Sequence, residues 1–219
     1  MPGVKHTILL KVWMSLSGLY LILFLIVHLI GNLQLFLPEA YASDWFNGYS
    51  ATLTGSPLIK AAAVLTYGSI LIHVAVSVLL WKRNRARRPY ALNDAAASSS
   101  WYSRSMGALG IVLLAFLVFH MWDFWVPYKF GPIGLDAKGR KDLYAIVVQS
   151  FSDPFIVCGY VLCMLALGFH LQHGFSAAFR SLGVHGAAGG RAIRRSASVL
   201  AWIIAGGFAA MPVFTYLRG

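Results

Sequence analysis

Five stretches of this chain contain no Asp, Glu, Lys or Arg: Val12 to Pro38, Ala61 to Trp81, Ser105 to Trp122, Pro154 to Phe179 and Ser196 to Leu217. Each is close to or above the roughly 20 residues that, at about 1.5 Å per residue, cross an apolar layer about 30 Å thick. That leaves little choice of fold. In such a layer every backbone polar group must find its partner within the chain, which helices do residue by residue. Composition agrees, with 58% hydrophobic and 11% charged residues where a soluble domain has about 25% charged. The expectation is an all-α integral membrane bundle of five transmembrane helices in one domain, 1–219, with helices near 9–37, 57–82, 101–126, 153–181 and 193–217.

The first span is long and lacks a small-residue cleavage site, so it reads as a retained helix. Cys158 and Cys163 share one apolar helix, and no C-x-x-C-H is present. They give neither a disulfide framework nor a covalent haem attachment, and read as packing residues.

The net charge of +11 does not require a nucleic-acid partner, because the basic residues sort by connection. Lys5, Lys11, Lys82, Arg83, Arg85, Arg87, Arg88, Arg104, Arg180, Arg191, Arg194 and Arg195 fall on one side. The other side receives Lys60, Lys129, Lys138, Arg140, Lys141 and Arg218, together with Glu39, Asp44, Asp136, Asp142 and Asp153. Twelve against six, under the tendency of Lys and Arg to stay inside, expects a cytoplasmic amino terminus. The two outer connections, "PEAYASDWFNGYS" and "PYKFGPIGLDAKGRKD", carry the aromatic, Pro and Gly content of turns and short interfacial helices. The inner "NDAAASSSWYSRS" reads as a polar linker.

Inside the spans the ionisable residues are His28, His73, His120, His170 and His173. A buried ionisable group in a membrane is costly and needs a partner or a task. Depth sorts them. His28 lies ten residues before Pro38 and His120 seven before Pro127, while His73 lies nine before Lys82 and His170 ten before Arg180. At about 1.5 Å per residue, this puts an outer pair and an inner pair each roughly 10 to 15 Å from its face.

Two imidazoles at equal depth can clamp one planar iron porphyrin through its axial positions, so four make two such sites. Zinc or copper would instead want three or four ligands at one point. On spacing alone either His170 or His173 serves, since they lie three apart on one helix face. Gly18 and Gly110, each ten residues before a histidine, would admit a large flat group, although close helix packing explains them equally well. His6 and His185 read as surface residues.

These residues resemble a family, the single-chain di-haem cytochrome b558 membrane subunit of succinate:quinone oxidoreductase (succinate dehydrogenase and fumarate reductase). The likeness covers essentially the whole chain. It rests on "SLSGLYLILFLIVHLIGNLQLF", "ILIHVAVSVLLWKR", "SRSMGALGIVLLAFLVFHMWDFW" and "FHLQHGFSAAFRSLG". The family's fourth ligand precedes a glycine by four residues, as His170 precedes Gly174, which selects His170. The resemblance then implies two haem b groups, the inner held by His73 and His170 and the outer by His28 and His120. It also implies docking to a flavoprotein subunit carrying FAD and an iron–sulfur subunit carrying the clusters, with electrons passed to a quinone, commonly menaquinone, in the bacterial cytoplasmic membrane. Some members carry a glutamate two residues before the fourth ligand for transmembrane proton movement. Here that position is Gly168, which argues against such a route.

Haem propionates favour cationic and hydroxyl donors at the membrane edge. The inner candidates are Ser15, Arg104, His173 and Arg180, of which Ser15 and Arg104 occupy family-like positions; the outer ones are Tyr49, Trp122 and Lys129. For a quinone, Asn32, Gln34, Asp44 and Asp123 offer polar groups near the outer haem. Trp13, Ser15 and Ser17 would do so near the inner one, but that placement leaves the second haem without a task. Two other readings are a histidine-lined proton relay or transporter, for which the spans offer few further polar residues, and a quinol cytochrome b outside this family. Several of those families place two ligands on each of two helices.

Overall fold

The apolar spans become five long helices in a computed structural model that describes residues 2–86, 104–184 and 187–219. The linker as far as Ser103, Arg87, Arg88 and His185 lie outside the described residues, as do the side chains of Lys5, His6 and Arg85. Helix α1 runs Pro2–Asn32 and tightens into a 3₁₀ turn, Leu33–Phe36; α2 is Glu39–Gly55 and α3 is Pro57–Ala86. Helix α4, Met106–His120, continues through a π-helical segment, Met121–Trp125, into α5, Val126–Phe130. Then come α6, Leu143–Ser150, α7, Pro154–Ser181, and α8, Ala187–Arg218.

The helices long and apolar enough to span are α1 with its 3₁₀ turn, α3, α4 with its continuation, α7 and α8. Among the described residues there is no β-strand beyond the isolated Leu135–Lys141 bridge. Large apolar side chains cover the outside of the bundle, with Leu71 and Ile111 both more than 70% exposed. Water would not tolerate so large an apolar surface, whereas lipid does. The chain is a multi-pass membrane protein, and its partner over that belt is lipid.

Local chemistry sets the helix starts. The Asp153 carboxylate accepts from Phe155 N–H at 2.8 Å, and Pro154 supplies a first residue that needs no partner for its nitrogen. Asp142 caps α6 by accepting from Ala145 N–H at 3.1 Å.

Between the spans, small residues allow close approach. Ala197, Ala201 and Ala205 of α8 are buried, and α7 and α8 are the most extensively packed pair, around Met164, Leu167, Leu171, Ala201 and Ile204. Helix α1 packs on α3, α7 and α8, and α4 packs on α7. Neither α1 with α4 nor α3 with α7 forms a closely packed pair.

One end of the bundle is capped. There α2 packs on α6, and Asn47, with no exposed surface, donates to Asp142 Oδ1 at 2.8 Å and accepts from Tyr144 N–H at 3.0 Å. Lys138 and Arg140 each reach Asp44 at 2.7 Å, and Arg140 also reaches Asp136 at 2.6 Å. The intervening turn places Gly139 at φ +73°, a left-handed conformation that suits glycine. Below the cap, Leu35, Phe46, Val147, Phe151, Val157, Tyr160 and Met211 form one apolar cluster. The two connections at this end are therefore one packed unit of turns and short helices.

Candidate functional site: two facing histidine pairs

The structure brings the four span histidines together in twos. The rings of His28 on α1 and His120 on α4 have centres 6.0 Å apart and planes at 86°. Those of His73 on α3 and His170 on α7 are 6.3 Å apart and at 65°. Each pair joins two helices that do not pack closely on one another, so imidazoles occupy a gap that backbone contact leaves open. All four rings keep partial accessibility even at mid-span.

Hydrogen bonding fixes the proton on one ring of each pair. The Ser17 hydroxyl already directs its single hydrogen to backbone carbonyls, Trp13 at 2.8 Å and Met14 at 3.2 Å. Its oxygen, 3.3 Å from His73 Nδ1, therefore accepts, and His73 carries its proton on Nδ1 with a lone pair on Nε2. At the other pair Tyr160 stands between His120 Nδ1, at 3.3 Å, and Asp123 Oδ2, at 3.5 Å. A carboxylate only accepts, so Tyr160 donates to Asp123 and accepts from His120 Nδ1–H, again leaving Nε2 as a lone pair.

The opposite rings are held differently. His28 stacks on Phe24 with centres 5.4 Å apart and touches Phe208, and Asn32 Nδ2 approaches its Nδ1 at 3.4 Å while donating to the His28 carbonyl at 2.7 Å. His170 Nδ1 is buried with no hydrogen-bond partner. A buried polar atom left unsatisfied is unfavourable and marks a position where something further is expected.

Among the described residues no three of His, Cys, Asp and Glu converge on a point that could hold a metal ion. What the arrangement offers is two nitrogens at a time. That suits a metal whose remaining positions are filled by a non-protein ligand.

The glycines divide. A Cβ on Gly18 would stand 3.3 Å from His73 Cε1, so the missing side chain is what lets His73 lie against α1. A Cβ on Gly110, Gly68, Gly159 or Gly174 would meet nothing within 4 Å. At Gly168 a Cβ would come 2.7 Å from Cζ3 of Trp202. The space a longer side chain would need there is filled by an indole.

The edge candidates are spread more widely. Ser15 is buried and bonds its own helix at the Lys11 carbonyl, 2.8 Å. Arg104 lies just ahead of α4, His173 one turn beyond His170, and Arg180 in the last turn of α7, all toward the end opposite the cap. Of the outer three, the Tyr49 ring packs over Gly31, Lys129 is exposed, and Trp122 is 70% exposed and faces outward.

Of the quinone candidates, Asn32 lies beside His28, and Asp123 reaches His120 through Tyr160. Gln34 donates to the Gly31 carbonyl at 3.1 Å and leaves its Oε1 buried and unpartnered. Asp44 is engaged in the ionic cluster of the cap.

Sequence reading misses Tyr160 and leaves Ser17 only as a possible quinone contact. Both had a signal. Tyr160 lies ten residues before His170, the offset that singles out Gly18 and Gly110, and Ser17 lies one residue further, eleven before His28. Such an offset carries a residue on one helix to the depth of the other pair.

Fold and site define a class: a five-helix membrane protein whose interior holds two stacked, facing histidine pairs. No protein-family model, curated protein or solved structure matches the chain.

Proposed function

We propose that this chain is a di-haem cytochrome b that anchors a succinate:quinone oxidoreductase, succinate dehydrogenase or fumarate reductase, in the bacterial cytoplasmic membrane. The observation that carries the reading is the spacing of the two pairs. A metal–imidazole nitrogen bond is about 2 Å, and a ring centre lies roughly 1 Å behind its bonding nitrogen, so two rings sharing one iron stand about 6 Å apart. The pairs lie at 6.0 and 6.3 Å. The unpacked helix pairs around them and the Nδ1 protons fixed on His73 and His120 support the same reading.

Bound between such rings, a haem supplies a reversible one-electron carrier. The chain's part is to hold and tune it. His73 and His170 would hold one haem and His28 and His120 the other, while Ser17 and Tyr160 keep two of those rings in the ligating tautomer. Asn32 and Asp123 stand beside the second pair, where a quinone, menaquinone in this reading, would need hydrogen-bond partners and a proton acceptor. The end opposite the cap, with its arginines, faces the cytoplasm and docks the flavoprotein and iron–sulfur subunits.

A reduced-minus-oxidised visible spectrum with haem quantitation tests the cofactor. Two b-type haems per chain are expected, and one or none overturns the two-site arrangement. Co-purification of a flavin-containing and an iron–sulfur subunit tests the partners, and full quinone reductase activity from the lone chain would contradict them.

A further inference from the structure

The two pairs differ in what lies behind the ring with the fixed proton. Behind His73 there is a neutral serine whose hydrogen goes to backbone carbonyls. Behind His120 there is a phenol ending on a carboxylate. Asp123 sits in the π-helical segment Met121–Trp125, directly after His120. Such a widened turn rotates the residues that follow it relative to a regular helix and often marks a functional position. Its Oδ2 accepts from the Ser150 hydroxyl at 2.5 Å as well as from Tyr160. Ser150 and Tyr160 are both buried, and Asp123 is half-buried.

Resting on the haem reading above, we infer that Tyr160 and Asp123 are positioning residues that strengthen His120 as an electron donor to iron. The directions are set from the carboxylate backwards. Asp123 accepts a hydrogen bond from the Tyr160 hydroxyl, which keeps its proton; the phenol oxygen becomes richer in electrons and draws on His120 Nδ1–H. A ring whose Nδ1–H is held by a stronger acceptor is a more basic ligand at Nε2. A more basic ligand favours the oxidised iron, so the relay lowers the reduction potential of the haem between His28 and His120. Chained hydrogen bonds of this kind polarise one another in low dielectric, so each partner matters beyond its own contact.

The test is spectroelectrochemical titration of the purified full complex, with the two haems distinguished by the spectra of H73A and H28A. Y160F keeps the ring and the charge and removes only the acceptor. It is expected to raise the midpoint of the His28/His120 haem by a shift equivalent to about tenfold in the ferric-to-ferrous preference, about 59 mV for one electron, and to leave the other haem unchanged. Two bound haems with both midpoints as in the parent protein overturn this inference while leaving the haem assignment intact. A parent complex that binds no haem overturns that assignment and this inference with it. If Y160F loses the haem, D123E decides: it keeps the charge but moves the carboxylate off the phenol. A raised midpoint then supports the relay, and an unchanged one overturns it.

Discussion

His28 and His120 lie on helices that do not pack closely on one another, yet their rings face each other with centres 6.0 Å apart. Direct helix contact does not hold them in place. The geometry persists because α1 and α4 are each fixed against α7, and Phe24, Phe208, Phe116 and Phe124 crowd the two rings from the sides. The pairing makes the first prediction. H28A and H120A should each remove the same half of the haem absorbance, and H73A and H170A the other half. H173A should keep both; loss of a haem there, with H170A retaining two, would move the ligand to His173.

Gly18 sets how closely His73 approaches α1, because its Cβ would stand 3.3 Å from the ring. A methyl needs a displacement of only a few tenths of an ångström, and a branched side chain needs far more. G18A should therefore keep two haems with a shifted spectrum for the His73/His170 site, whereas G18V should lower occupancy at that site alone. Equal loss at both sites would point to general misfolding of α1.

The Trp202 ring stands where any side chain at position 168 would have to go, 2.7 Å from a Cβ there, and it is packed edge-on against Phe169 at 5.1 Å. Overpacking of this sort costs about 1–3 kcal/mol. G168A should lower the midpoint of thermal unfolding in detergent, and the double variant G168A/W202L should recover most of the loss. G168E should be worse than G168A.

Asn47 is the hub of the cap, with one bond to Asp142 and one from Tyr144 N–H. N47A removes the acceptor of Tyr144 N–H and one of two donors to Asp142 Oδ1, which keeps Ala145 N–H, at a net cost of about 0.5–1.5 kcal/mol per hydrogen bond. Faster amide exchange at Tyr144 and faster proteolysis within residues 131–142 are the expected outcomes. The haem spectrum should not change, since neither Asn47 nor its partners Asp142 and Tyr144 bonds to a histidine of either pair.

The cap also has a pH signature. Hydrogen bonds from Arg140 pull the Asp136 carboxyl from 3.8 down to about 2, and Lys138 followed by Arg140 lowers Asp44. A carboxyl depressed on folding contributes stability that is fully present above its unfolded value and is lost as pH falls through its folded value. The turn around Gly139 in the cap should stay closed at pH 4 and loosen between about 3.8 and 2. R140A should move that loosening upward. The carboxyl carbon shift of Asp136 across this range reads both.

How much of this was visible in the chain follows from which quantities are one-dimensional. Depth is one: counting residues from a helix end to a histidine gives its height, and height alone groups His28 with His120 and His73 with His170. Polarity of the connections is another, which is why the aromatic, Pro- and Gly-rich outer segments could be read as structured. Asp44 shows where such reading stops. A carboxylate at the right height is a fair quinone candidate until Lys138 and Arg140, far along the chain, are found on it.

The sequence by itself determined that five helices cross a membrane and that four imidazoles lie at two depths, because length, polarity and rise per residue suffice for both. Tertiary structure decided which faces meet. It put Ser17 behind His73, Tyr160 and Asp123 behind His120, and the indole of Trp202 over Gly168. The physical reason is that the rotation of a helix about its axis and its lateral neighbours depend on the fit of side chains from all the spans at once. No local stretch of sequence carries that information.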